Sequence, residues 1–97
     1  MMTEGYEVEI CNAKWFIKEE YPEIDNEEPD DGDTNFNKQV ITINADLHTH
    51  RKSLAVVHEL MHVVCDYIGL DEDEELIRKL EAGVLEIVQN IPDEYRR

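Results

Sequence analysis

Basic residues are scarce in this sequence. Its 97 residues include 9 lysines and arginines against 24 aspartates and glutamates, which gives a formal net charge of −15. Such an excess of negative charge repels the phosphates of nucleic acids and the anionic surfaces of membranes, so we expect neither as a partner. The charge favours a cation, or a basic peptide or protein surface, as the partner.

Long apolar segments are also lacking. No window approaches the roughly 18 apolar residues that a membrane-spanning helix needs. The start, MMTEGYEVEI, has neither the basic nor the apolar region of a secretory signal. The sequence has only two cysteines, Cys11 and Cys65, which we expect to be free thiols in a reducing compartment. These features predict a cytoplasmic protein.

The length predicts a single small domain over residues 1–97, because a chain of this size can bury one thin core. Residues 6–10, YEVEI, alternate like a strand, and the following AKWFIKEEY predicts a short helix that ends before Pro22. Residues 22–38 are rich in acidic residues, proline and glycine and predict a solvated acidic loop. This loop lacks the ligand spacing of an EF-hand calcium site.

The second half of the sequence predicts a strand and two helices. QVITINA, residues 39–45, alternates like a strand. A helix over about 54–68 would begin after Ser53 as its N-cap and stop at Gly69. ELIRKLEAGVLEIVQNI is amphipathic and predicts a second helix that ends at Pro92, followed by a frayed tail over 93–97.

The first of these helices contains H-E-x-x-H, as HELMH at residues 58–62. Positions i and i+4 lie on the same face of a helix, so His58 and His62 can share one zinc ion. Glu59 projects beside them, where it can take a proton from a water molecule on the metal. The polar strip that holds these residues is narrow, and apolar residues cover most of the helix. The pattern therefore predicts a metal site, with Glu59 as the catalytic residue.

Catalytic zinc needs a third protein ligand. Asp66 lies on the same helical face, but it is too far along the axis to share the ion, so we expect it to orient His62 or a neighbour. The second helix opens with carboxylates that can return to the metal. We expect Glu74 to be the third ligand, with Glu75 or Asp73 as alternatives.

Other candidate residues carry weaker signals. His48 and His50 form an H-x-H pattern in a segment that we predict to be extended, and we expect both side chains to be exposed to solvent. Tyr6, Tyr67 and Tyr95 are candidates for a hydrogen-bond donor to the transition state, and the sequence does not single out one of them.

The segments ITIN, SLAVVHELMHVVCDYIGL and DEDEELIRKLEAGVLEIVQN resemble small phage and prophage zincins of the ImmA/IrrE-like metallopeptidase group, over residues 39–90. This resemblance implies a minimal zincin-like α+β domain, in which a small antiparallel or mixed sheet packs on the motif helix and a second C-terminal helix. It implies zinc on His58 and His62, Glu59 as general base and an acidic third ligand from the second helix. A phage-encoded member would act in the cytoplasm of a bacterial host. The chain departs from the group at Arg78 and Lys79, where small residues are usual.

Of three functions considered from the sequence, we expect the first, and the other two remain as alternatives. The first is a zinc metallopeptidase, a hydrolase of peptides or proteins, whose substrate pairs with the strand VITINA. The second is a non-catalytic metal-binding or acidic interaction module, including a nucleic-acid mimic that binds a basic protein. The third is a small α+β domain without a metal.

Overall fold

The computed structural model of the chain describes residues 5–24, 28–71 and 73–96. These residues form an α+β domain with four strands and two helices. In chain order the elements are β1 (Tyr6–Ile10), β2 (Ala13–Glu20), β3 (Gly32–Asn35), β4 (Val40–Asn44), α1 (Thr49–Ile68), α2 (Glu74–Asn90) and a 3₁₀ turn at Asp93–Tyr95. The strands form one sheet in the order β1-β2-β4-β3, with β2 parallel to β4 and the other pairs antiparallel. The expected α+β class with a mixed sheet is confirmed.

A hairpin of β1 and β2 occupies the segment where the sequence predicted a strand and then a helix. The helix prediction for residues 13–21 is wrong, because AKWFIKEE forms β2. The turn residues Cys11 and Asn12 both have positive φ angles, 53° and 62°, as two-residue hairpin turns that match strand twist require. Trp15 and Ile17, two residues apart, then point to the same side of the sheet and reach the core.

Strand β3 lies within the segment predicted to be an acidic loop, so that prediction is wrong for residues 32–35. Residues 25–27 of the same segment lie outside the described residues. The sequence of β3, GDTN, has little preference for strands. Its position comes from its partners: it pairs with β4, and Gly32 and Thr34 face α1. Pairing with β4 across the short connection at residues 36–39, together with contacts to α1, therefore creates this strand.

Strand β4 confirms the strand predicted for residues 39–45 and forms the centre of the core. Its inward residues Ile41 and Ile43 are 0% and 1% exposed. Since β4 is hydrogen-bonded to β2 on one side and to β3 on the other, neither of its edges is open. The buried core combines these two residues with Trp15, Ala55 and Val63.

Helix α1 begins at Thr49, about five residues earlier than predicted. Ser53 is therefore inside the helix instead of capping it, and its hydroxyl donates to the carbonyl of Thr49 at 3.2 Å. The predicted stop at Gly69 is confirmed: its φ angle is 73°, and its N–H donates to the last turn. The face that packs on the sheet is defined by residues four apart, namely Ala55, Glu59 and Val63.

Helix α2 begins after Asp73, whose side chain accepts a hydrogen bond from the backbone N–H of Leu76 and so caps the helix. Its end just before Pro92 agrees with the sequence. The helix is amphipathic as predicted, but only Ile77 and Leu85 are fully buried. Leu76, Leu80, Ile87 and Val88 remain between 46% and 59% exposed. Helix α2 is thus attached to α1 by a narrow strip of contacts.

Residues 93–95, in the tail predicted to fray, form a 3₁₀ turn, and Arg97 lies outside the described residues. Cys11 and Cys65 are both free thiols, as expected. Among the described residues, no helix has the length and apolar character needed to cross a membrane.

Candidate metal centre

Two histidines and one glutamate from different helices meet at a single point. His58 and His62 lie one turn apart on α1, and Glu74 is the first residue of α2. The chain reverses after Gly69, which brings the start of α2 back over the motif. His58 Nε2 lies 2.6 Å from Glu74 Oε1, and His62 Nε2 lies 2.9 Å from Glu74 Oε2. One donor atom from each residue lies within 4.8 Å of the other two.

The spacing of these atoms suits a small tetrahedral cation. Zinc bonds of about 2.0–2.1 Å place neighbouring ligand atoms about 3.3 Å apart in a tetrahedron. Here the two Nε2 atoms of His58 and His62 are 3.2 Å apart, and each lies slightly closer than that to the Glu74 carboxylate. Two imidazole nitrogens and a carboxylate oxygen are typical zinc ligands. These three residues could therefore hold a metal ion with small adjustments of their side chains.

Asp73 and Glu75, the alternatives to Glu74, are engaged elsewhere. The Asp73 carboxylate caps α2 through the N–H of Leu76. Glu75 is highly exposed and lies 3.3 Å from the ammonium group of Lys79. Of the three acidic residues singled out in the sequence, the structure thus brings Glu74 to the histidines.

Glu81 contacts the outer nitrogen of His58, a role that the sequence reasoning did not assign to it. Its Oε2 lies 2.7 Å from His58 Nδ1. Histidines that bind metals almost always donate their other N–H to such a partner, which sets the tautomer and the ring orientation. The signal was present in the sequence, because Glu81 lies seven residues after Glu74 and hence on the same face of the helix.

Asp66 was expected to orient His62 or a neighbour. It lies one turn beyond His62, near the end of α1, with its side chain exposed. Its backbone carbonyl accepts the N–H of Gly69. The proposed role of its carboxylate stays a prediction, whereas for His58 the orienting contact is made by Glu81.

The proton affinity of His58 reflects its carboxylate neighbours. Burial lowers the pKa of His58, but the hydrogen bond to Glu81 and the charges of Glu74 and Glu59 raise it, and the net effect is a pKa above the usual 6.5. In the metal-free protein the site therefore favours a proton on this imidazole. A divalent cation would compete with that proton for the same ligands.

The side chain of Glu59 lies on the face of α1 that packs on the sheet, beside the face that carries His58 and His62. It is only 8% exposed, and its Oε1 accepts a hydrogen bond of 2.7 Å from the Thr34 hydroxyl on β3. Burial raises the pKa of Glu59, although this hydrogen bond and the neighbouring histidines lower it in part. A carboxyl group with a raised pKa is suited to accept and release a proton.

His58, Glu59, His62 and Glu74 all line one open cleft of about 680 Å³. Helix α1 runs along it, and the cleft is also lined by the beginning of β3 and by α2 through Glu74, Arg78 and Glu81. The Arg51 guanidinium donates to the Asp31 carboxylate at 2.9 Å, which ties α1 to the chain just before β3. The candidate ligands His58, His62 and Glu74 thus share with Glu59 a space large enough for a peptide segment.

The other candidate residues from the sequence are two histidines and three tyrosines. His48 and His50 are exposed as expected. His48, at the N-cap of α1, has an extended backbone as predicted, whereas the prediction is wrong for His50, which belongs to the first turn of α1 and lines the cleft. The Tyr67 hydroxyl accepts a hydrogen bond from Asn12 at the β1–β2 turn. Tyr6 and Tyr95 are largely exposed. The described residues that line the cleft include none of the three tyrosines.

No family model, curated protein or solved structure matches this chain. The evidence for a metal centre is therefore the arrangement of His58, His62 and Glu74 in this structure.

Proposed function

We propose that this protein is a zinc-dependent metallopeptidase. The observation that carries the proposal is that His58 and His62 meet Glu74 while Glu59 borders the same open cleft. Three ligands of this kind are the number that catalytic zinc sites use, with a further position left for water or substrate. The order of strand, H-E-x-x-H helix and second helix with a glutamate ligand supports a zincin-like fold of the ImmA/IrrE-like group.

Zinc bound to these three ligands would supply an activated water and polarise the carbonyl of the scissile peptide bond. Glu59 would accept a proton from the attacking water molecule as the water oxygen bonds to the carbonyl carbon. The same carboxyl group then gives the proton to the amide nitrogen as the C–N bond breaks. Glu81 keeps the His58 ring oriented during these steps through its contact with Nδ1.

The substrate would pair with β3, which replaces the earlier expectation for the strand VITINA. That strand is β4, whose two sides are already occupied, whereas β3 is at the edge of the sheet. The N–H of Asn44 donates to the carbonyl of Asp31. In an antiparallel pair, the residues that are hydrogen-bonded to the partner strand alternate with residues that are not. Since Asp31 bonds to β4, the N–H and C=O groups of Gly32 and Thr34 point away from β4, towards the open edge of the sheet. An extended peptide could add there as a further strand beside the cleft.

The excess of negative charge supports a basic peptide or protein as substrate. Asp30 and Asp33 line the cleft, and the whole chain carries a net charge of −15. Complementary charge accelerates the encounter of two molecules more than it strengthens their final complex. We therefore expect raised salt to slow cleavage mainly by reducing the rate of association.

The decisive experiment compares wild type with Glu59→Gln. Each protein is loaded with zinc, checked by metal analysis, and incubated with a mixture of synthetic peptides that is then analysed by mass spectrometry. We expect cleavage by wild type, a loss of at least about a hundredfold in Glu59→Gln, and equal zinc content in both. Glu75→Gln is the matched control, since this exposed glutamate lies 3.3 Å from the ammonium group of Lys79 and is not part of the His58, His62 and Glu74 cluster.

The possible results separate the alternatives. Cleavage by Glu59→Gln at the wild-type rate would overturn the mechanism. Stoichiometric zinc without cleavage of any peptide would favour a non-catalytic metal-binding module with an acidic interaction surface. Less than about a tenth of an equivalent of zinc, after purification without chelators, would support a domain without a metal.

A further inference from the structure

Glu59 is held by a residue from a different layer of the fold. The Thr34 hydroxyl, on edge strand β3, donates to Glu59 Oε1 at 2.7 Å. The two residues are 25 positions apart in sequence. Glu59 itself lies on the sheet-facing side of α1, between the buried Ala55 and Val63. Its carboxylate is thus placed where a helix and a strand meet.

Gly32, two residues before Thr34, lies against the same side chain. A Cβ atom at this position would lie 3.1 Å from Glu59 Cγ and 3.3 Å from Oε2, which is tighter than ordinary van der Waals contact. A larger residue here would therefore require the side chain of Glu59, or that of Ile43, whose Cδ1 would lie 3.2 Å away, to shift by a few tenths of an ångström. Strand β3 contacts Glu59 at two points: the Gly32 backbone limits its space, and the Thr34 hydroxyl binds one oxygen.

Both contacts act on a group that is costly to bury. A carboxylate removed from water needs a hydrogen-bond donor, and among the described residues Thr34 supplies one to Oε1. That bond also selects one orientation of the carboxylate, so that Oε2 is the oxygen not engaged by Thr34. A general base must be held within about half an ångström of its working position, because small displacements are costly to the rate.

We propose that Thr34 is a positioning residue for Glu59: its hydroxyl fixes the carboxylate at the border of the cleft, with Gly32 leaving the space for it. The catalytic consequence rests on the proposed peptidase function, whereas the Thr34–Glu59 contact does not. The test therefore has one arm that requires no activity and one arm that does.

The first arm is a double-mutant cycle on the unfolding of the metal-free chain in urea at pH 7. Thr34→Val keeps the shape of the residue and removes the donor. We expect it to raise the unfolding equilibrium constant about tenfold in the wild-type background, as for loss of a hydrogen bond to a charged group, and by less than about twofold in Glu59→Ala. The control is Thr42→Val on β4, because Thr42 is not among the buried residues of that strand. It should change the unfolding equilibrium constant by the same factor in both backgrounds.

The second arm measures zinc affinity, kcat and KM for a peptide that wild type cleaves. We expect Thr34→Val to lower kcat by about tenfold to a hundredfold, because misplacement of a catalytic group by about 1 Å costs that much. KM and zinc affinity should stay within about twofold of wild type. Thr34→Ser, which keeps the hydroxyl, should recover most of kcat, and Gly32→Ala should lower it.

Equal effects of Thr34→Val in the presence and absence of the Glu59 carboxylate would overturn the proposal. So would an equal loss of kcat in Thr34→Ser and Thr34→Val, because β3 would then contribute only its strand structure. If zinc-loaded wild type cleaves no peptide, the proposed function fails, and the unfolding cycle still decides whether Thr34 holds Glu59.

Discussion

The Nδ1 atom of His58 on α1 lies 2.7 Å from Oε2 of Glu81 on α2. The other nitrogen of the same ring lies 2.6 Å from Glu74, at the start of α2. Helix α2 therefore contacts both sides of the His58 imidazole with two glutamates that are seven residues, or about 10 Å of helix axis, apart. The geometry of the candidate metal centre depends on how α2 packs against α1.

Removal of the Glu81 carboxylate should weaken metal binding without removing a ligand. We expect Glu81→Gln to lower zinc affinity about 10–100-fold, as for other partners that orient a metal-binding histidine. A competition titration against a chromophoric chelator measures this change. Glu86→Gln, an exposed glutamate on the same helix, is the control, and equal affinities of the two variants would contradict the assigned role of Glu81.

Loss of a histidine ligand should have a larger effect. We expect His62→Ala to lower zinc affinity by more than about a hundredfold, beyond the range seen for groups that only orient a ligand. His48→Ala changes an exposed histidine at the N-cap of α1 and should bind zinc like wild type. The affinities come from the same competition titration. Full zinc occupancy in His62→Ala would place the metal elsewhere.

The stability of the metal-free protein should fall as the pH rises from about 5 to 8. The folded-state pKa of His58 is raised above 6.5, so its stabilising contribution is present below pH 6.5 and is lost as the pH rises through the folded pKa. The folded-state pKa of Glu59 is also raised, above 4.5, mainly by burial. Since the folded state binds more protons at both sites, both contributions have the same sign.

Urea denaturation at several pH values measures this dependence, in which each unit of pKa difference between folded and unfolded states corresponds to about 1.4 kcal/mol. We expect His58→Asn to have a flatter stability profile between pH 6.5 and 8 than wild type. His48→Asn, at an exposed position, should keep the wild-type slope. A wild-type stability that rises over this interval would contradict the expectation.

The packing of α2 can be tested with two adjacent residues. Ile77 is 3% exposed and Leu76 is 47% exposed. We expect Ile77→Ala to lower the free energy of unfolding by about 2–5 kcal/mol, as for other large-to-small changes in a core, and Leu76→Ala to lower it by less than about 1 kcal/mol. Because α2 carries Glu74 and Glu81, Ile77→Ala should also weaken zinc binding. Similar stability losses in both variants would contradict the observed orientation of the helix.

The sequence predicted those features that depend on neighbours along one element. His58 and His62 share a face of any α-helix, and Gly69 ends the helix because it adopts a left-handed conformation easily. The alternation in VITIN likewise identified β4. The prediction of Glu74 was less direct, since it required that the chain turn back after Gly69, and the structure places Glu74 beside both histidines.

Other features could not be deduced from local patterns. The segment AKWFIKEE has residues that suit either a helix or a strand, and its pairing with β1 and β4 makes it β2. The residues of β3 have low strand propensity and lie in an acidic segment, so only their contacts with β4 and α1 make a strand there.

By itself, the sequence determined a polar strip with zinc-binding spacing on an apolar helix, because helical periodicity sets which side chains are neighbours on one face. Only the tertiary structure decided that Glu74, of the three carboxylates considered, reaches the histidines. It also decided that Glu81 contacts His58 and that the Thr34 hydroxyl donates to Glu59. These contacts join residues 12 to 25 positions apart on separate elements. They depend on the packing of α2 and β3 against α1, which contacts between separate elements determine and no local pattern encodes.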